Sequence, residues 1–261
     1  MNGGGATHYL GAASDKADRA LVVEIVGISG CGKSTLVEGV VKELASMGYK
    51  SLQTRDAEQA ELSYSQKVHG LIGGIWDTFR LSRFFIAWGT DGFTGPRRLL
   101  AGLRHGIRLR SLDGTTASHI FLFVEPGWPM QLIGQCMQTG DTLSKVTAKL
   151  FLQNSTRADL LIVLDAQPQV SIDRMAGRKR GFPKSMRSWN EKRLNDALAC
   201  GRKSCGSLAT AARELGIETL ELDVSMLSAS DAADAVVRFL LQRFANAPPT
   251  GASVEIVNSE S

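Results

Sequence analysis

The stretch from Leu21 to Thr35 constrains this chain more than any other part of it. It begins with the apolar, β-branched run Leu21-Val22-Val23-Glu24-Ile25-Val26, which reads as a strand buried on both faces, as in a parallel sheet. Gly27-Ile28-Ser29-Gly30-Cys31-Gly32-Lys33-Ser34 follows and matches GxxxxGK[ST]. From Ser34 to Met47 the apolar Leu36, Val40, Val41 and Leu44 share one helical side, and Gly48 supplies a stop. Strand, glycine turn and helix in that order are the context in which the pattern forms a phosphate cradle. Glycines let the backbone turn with positive φ so that N–H groups converge on phosphate oxygens. The helix adds its positive N-terminal end. The expectation is that Gly27, Ser29, Gly30, Cys31, Gly32, Lys33, Ser34 and Thr35 surround ATP. Lys33 would reach the β- and γ-phosphates, and the Ser34 hydroxyl would ligate Mg²⁺.

The rest of the chain alternates strands with helices. Short strands are predicted at Ser51–Thr54, His119–Val124, Leu160–Leu164 and Ile217–Leu222, and helices over 129–153, from Pro168 onward and over Ala229–Phe244. Residues 59–117 show no strand pattern and read as a helical insert. Continuous apolar strands between helices argue for a mostly parallel sheet covered on both faces. The expected architecture is a three-layer α/β fold of the P-loop NTPase type, with the insert between strands 2 and 3. One domain would cover 20–246, between a Gly/Ala/Ser-rich leader at 1–19 and a Pro/Gly/Ser-containing tail at 247–261.

Kinases, GTPases, transporter motors and helicases share that loop, so other residues must distinguish them. There is no Asn-Lys-x-Asp segment to select guanine and no LSGGQ-like signature. Thr54-Arg55-Asp56 follows the second strand, Glu125 closes the third, and Arg174-Met175-Ala176-Gly177-Arg178-Lys179-Arg180-Gly181 follows the fourth. In order and spacing these segments resemble the P-loop nucleoside and nucleotide kinases, especially thymidylate kinase-like proteins. The resemblance spans roughly 21–223 and extends to the passage Ala158–Asp165 leading to Arg174. It implies a Mg²⁺-dependent transfer of the ATP γ-phosphoryl group to a small-molecule acceptor, with Asp56 as general base, Glu125 at the metal or the substrate, and Arg174, Arg178 and Arg180 in a lid at 174–187. In that family the acid after the third strand is usually followed by Arg, whereas Pro126, Gly127 and Trp128 stand here. The resemblance therefore implies a reaction class and leaves the acceptor open.

Two further readings stay beside it. A regulatory nucleotide-binding module or ATPase switch would use the same loop without a small-molecule acceptor. Segment 76–110, with Trp76, Phe79, Phe84, Phe85 and Trp88 among arginines, would pack the insert, stack on a planar anionic acceptor or, through Arg97–Arg110, touch an acidic membrane or nucleic acid. Cys31 reads as a small residue tolerated at a variable loop position rather than a redox switch. The net charge of +4 is modest and gives no ground for a nucleic-acid partner. Four cysteines without a CxxC pair suggest a reducing compartment, and the polar N-terminus reads as neither signal nor transit peptide, so the expected location is cytoplasmic. No apolar run reaches membrane-spanning length. A homodimer is implied only by analogy with the kinases the chain resembles.

Overall fold

The computed structural model describes residues 21–54, 68, 71–75, 79, 121–125, 127–155 and 158–244. Five strands form one sheet: β1 (Leu21–Gly27), β2 (Ser51–Gln53), β3 (Phe121–Val124), β4 (Leu160–Asp165) and β5 (Glu218–Asp223). Their order is β2-β3-β1-β4-β5, and every neighbouring pair is parallel. β1 lies in the middle, with Leu21 opposite Phe121 on one side and Val23 opposite Leu160 on the other. The apolar strands β3 and β4 are buried along almost their whole length, as parallel central strands require. The polar sequence of β5 (Glu-Thr-Leu-Glu-Leu-Asp) fits its place at an edge.

Among the described residues, these α-helices accompany the strands: α1 (Lys33–Ser46), α2 (Trp128–Thr139), α3 (Lys145–Asn154), α4 (Pro168–Ala176), α5 (Glu191–Glu214) and α6 (Ala229–Phe244). The connection from β1 through α1 to β2 crosses the sheet in one direction. Those from β3 to β4 and from β4 to β5 cross in the other. Right-handed crossovers therefore place the two sets of helices on opposite faces. The packing agrees: α1 lies against α6, whereas α5 lies against α2 and α3. The result is an α/β fold with an all-parallel sheet between two helical layers. Among the described residues no helix is long and apolar enough to cross a membrane.

Two sequence expectations need correction. The single helix over 129–153 is two, because Gly140 turns left-handed (φ 84°) and Ser144 starts a new helix by accepting from the Thr147 N–H at 3.1 Å. The long α5 was not predicted at all. Its buried face is built from Ala197, Gly201, Ser204, Ala209 and Ala212 with a few larger residues, so it lacks the bulky apolar stripe that marks a helix. The small residues have a packing reason: a Cβ on Gly201 would stand 2.7 Å from Cγ of Met137 on α2. Of the predicted insert, only 68, 71–75 and 79 are described, all helical. The leader at 1–19 and the tail at 247–261 lie outside the described residues.

Candidate functional site

The site grows from the C-terminal end of β1. Leu36 donates its N–H to the Gly32 carbonyl at 2.9 Å, opening α1, and Cys31 N–H closes a tight turn on the Ile28 carbonyl at 3.3 Å. Gly30 and Gly32 have φ of 91° and 102°, a region that L side chains avoid. At Gly30 the reason is doubled, since a Cβ would also collide with the Ser171 carbonyl oxygen on α4. Gly27 ends β1 against Leu164 of β4, and Ser29 stands half-buried on the turn. Cys31 is buried, as are the other three cysteines, and all four are free thiols. Burial pushes the Cys205 thiol up to about 12, so it is not a nucleophile at neutral pH.

The N-terminus of α1 has no acidic residue in its first turn and no side-chain cap. Its N–H groups and positive dipole end are thus left to an external anion. Lys33 Nζ curls back inside the loop, donating to the carbonyls of Gly27 (2.8 Å) and Ile28 (3.0 Å) beside Cys31 Sγ (3.7 Å). Ser34 and Thr35 are exposed at the mouth.

Glu125 arrives from the neighbouring strand β3. Ser34 Oγ donates to Glu125 Oε1 at 2.8 Å, joining two residues 91 positions apart. Buried Thr54, at the end of β2, fixes the turn that carries Glu125. Its N–H donates to the Phe123 carbonyl at 3.0 Å, and its hydroxyl bonds both the N–H and the carbonyl of Glu125 at 3.3 Å. In the sequence Thr54 ends the strand and begins the segment Thr54-Arg55-Asp56, with no role of its own. Asp56, the expected base, and segment 76–110 apart from Phe79 lie outside the described residues.

The three lid arginines differ. Arg174 is a strut: Nη1 donates to the Cys31 carbonyl at 3.2 Å and Nη2 to the Val224 carbonyl at 2.7 Å. It joins the glycine loop to the turn between β5 and α6. Arg178 and Arg180 are exposed on the turn after α4, which Gly181 closes with φ 62°. A cavity of about 540 Å³ opens beside the loop, lined on one side by Gly30, Cys31, Gly32, Thr35 and Leu36, with Arg174 and Arg178 at its edge, and on the other by Val224, Leu227, Ser228 and Ala232. That size suits a nucleotide-sized ligand. It lies outside the carboxyl ends of β1 and β4, whose onward connections diverge, the place where open α/β sheets bind ligands.

Behind the site, Glu24 sits mid-strand in β1, with its carboxyl pressed against Gly127 at the start of α2. Burial pushes its pKa up to about 8. Asp165 at the end of β4 holds Arg202 of α5 in a bidentate pair (Oδ2 to Nη2, 2.5 Å).

Chemically, the loop offers positive charge and helix N–H groups to an anion. The uncapped start of α1 and the exposed Arg178 border the cavity, while Lys33 lies folded inside the loop and the Ser34–Glu125 pair stands beside it. Comparison with known proteins adds no assignment: no protein-family model matches the chain, and no curated protein matches it.

Proposed function

We propose that this chain is a P-loop phosphotransferase that moves the γ-phosphoryl group of ATP onto a small-molecule acceptor, of the kind represented by thymidylate and deoxynucleoside kinases. The observation that carries the reading is the hydroxyl–carboxylate pair Ser34–Glu125, set at the mouth of a glycine loop that contains Lys33. Two hard oxygen donors, one in the first turn of α1 and one just past β3, suit Mg²⁺, which takes few protein ligands and keeps water and phosphate oxygens for the rest. Ser34 and Glu125 would hold that ion, and its chemistry there is to neutralise charge on the phosphate oxygens.

The remaining work falls to this chain's own groups. Loop N–H groups and the α1 N-terminus hold the phosphates in place, and Lys33 stabilises charge on the transferring group. Exposed Arg178 and Arg180 stand at the end of α4, where a fork-shaped donor can pair two phosphate oxygens. Asp56 keeps the role of general base that the sequence resemblance implies. The strand order, with the loop after central β1, supports a P-loop NTPase fold.

The test is ADP release from Mg·ATP against nucleosides, nucleoside monophosphates, sugars and hydroxyl-bearing metabolites, with Lys33→Ala alongside. One acceptor class should stimulate release, and Lys33→Ala should lower it by roughly 100-fold or more. Near wild-type turnover in Lys33→Ala would sink the mechanism. A nucleotide-binding switch is favoured by one observation, that Arg174 is tied to backbone rather than turned to the cavity. Tight ATP binding without any acceptor-stimulated release would select that reading.

A further inference from the structure

Resting on the nucleotide-binding reading above, we infer that the nucleotide is selected by its triphosphate and not by its base, so that adenine and guanine nucleotides are accepted with little distinction. The part of the cavity remote from the glycine loop is walled by Leu36, Leu164, Val224, Leu227, Ala229 and Ala232. Among the described residues that line it there is no Asp, Glu, Asn or Gln. Guanine presents an N1–H and an amino group that a carboxylate would read; adenine presents an acceptor and an amino group that a carboxamide would read. Neither reader is present on this wall.

Several polar groups on and beside this wall are committed elsewhere. The Val224 carbonyl accepts from Arg174, and the Val224 N–H donates to the Asp165 carbonyl at 2.8 Å. Ser225 N–H donates to Asp223 Oδ1 at 2.9 Å, and Ser225 Oγ accepts from the Gln167 N–H at 3.1 Å. Ser228 caps α6: its Oγ donates to Asp231 Oδ2 at 2.6 Å and accepts from the Asp231 N–H at 3.1 Å. Its carbonyl accepts from the Ala232 N–H at 3.1 Å. A base entering this slot meets methyl and methylene groups above all.

Such a slot discriminates weakly. An apolar pocket separates closely similar ligands by at most about 100-fold, whereas a site built to hydrogen-bond a distinguishing group reaches about 10⁴-fold or more. Arg178, exposed at the cavity edge, can lie over either purine and adds no preference. The phosphate end is the opposite case: Lys33, the α1 N-terminus and the Ser34–Glu125 pair all address charge.

The experiment is calorimetric titration of the whole chain, with Mg²⁺ present, against the non-hydrolysable imido analogues of ATP and GTP, and against adenosine. The expected result is that both analogues bind with Kd values less than about 100-fold apart, and adenosine at least about 100-fold more weakly than either. A preference of 100-fold or more for one analogue overturns the inference while leaving the phosphotransferase reading intact. Adenosine binding nearly as tightly as the ATP analogue overturns it too, since the base would then carry the affinity. If the folded chain binds neither analogue, the functional reading itself fails and takes this inference with it.

Discussion

Glu24 offers a stability test whose sign and size follow from its position. It stands in the middle strand, paired in register with Val124 of β3 and Leu161 of β4, and only 6 % of its surface meets solvent. Burial raises its pKa from 4.5 to about 8. The folded state therefore holds a proton that the unfolded chain releases between those two values. Stability from this group is fully present below pH 4.5 and is lost as pH rises through 8. With 1.36 kcal/mol for each pH unit, the loss between pH 5 and pH 8 is about 3.5 kcal/mol. Glu24→Gln keeps the shape and removes the proton, so the variant should gain on the wild type by that amount across the window. The assay is urea unfolding followed by tryptophan fluorescence at several pH values from 5 to 8.5. For an m-value of about 3 kcal/mol per molar, the two midpoints should draw apart by roughly 1 M. All other titrating groups are shared, so the difference isolates Glu24. Midpoints that stay parallel across the range would refute the reasoning.

Three further outcomes follow from the site. Gly32→Ala should cost about 1–2 kcal/mol through its left-handed backbone alone, because nothing stands within 4 Å of the new Cβ. Gly30→Ala should cost more, since its Cβ also meets the Ser171 carbonyl; equal unfolding midpoints for the two variants would contradict this packing. Glu125→Gln and Ser34→Ala should each lower turnover by roughly 100-fold with a raised Mg²⁺ requirement, which a titration of rate against Mg²⁺ would read. Arg174→Gln breaks both hydrogen bonds of the strut, so it should weaken ATP binding about tenfold, with a smaller change for tripolyphosphate. Equal losses for both ligands would mean that Arg174 serves the phosphates directly.

Much of this was legible in the sequence because the signals were local. The β-branched runs at Leu21–Val26 and Leu160–Leu164, the glycine loop, and Pro168 at the start of α4 each state their own conformation, and all four stand where expected. Ser34 was marked by the loop motif and Glu125 by a resemblance, and only the fold shows that their side chains meet. What escaped were features that depend on partners. A helix whose buried face is mostly Ala, Gly, Ser and Cys, with only Leu194, Leu198 and Leu208 among them, shows a weak apolar stripe, and α5 becomes readable once Met137 is found against Gly201. Arg174 looked like its neighbours in an arginine-rich run, and only the nearby carbonyls of Cys31 and Val224 set it apart. Thr54 gave no signal of its own, because its use lies in the backbone of a residue 71 positions away.

The topology divides the site into two sides with different origins. The cavity is walled by the ends of β1 and β4 and by the turn after β5, all of them framed by α1, α4 and α6. Glu125 and Thr54 face the other way along the sheet order, on β3 and β2. Because all strands are parallel, the chain leaves β2 at the same edge as the glycine loop, beside Glu125, before it returns to begin β3. Whatever follows Thr54 therefore starts next to the Ser34–Glu125 pair. On the phosphotransfer reading, the nucleotide enters from the β4–β5 side, so an in-line acceptor has to approach from the β2–β3 side. In the sequence, Asp56 follows Thr54 after one residue, and the arginines and aromatics of segment 76–110 come before β3. The fold thus makes one sharp demand on the biochemistry. Substitutions on the Val224–Ala232 wall should alter the nucleotide, and those among Asp56 and the arginines of 80–110 should alter the acceptor. A variant in either group that changed both KM values alike would show that the two sides are not separate.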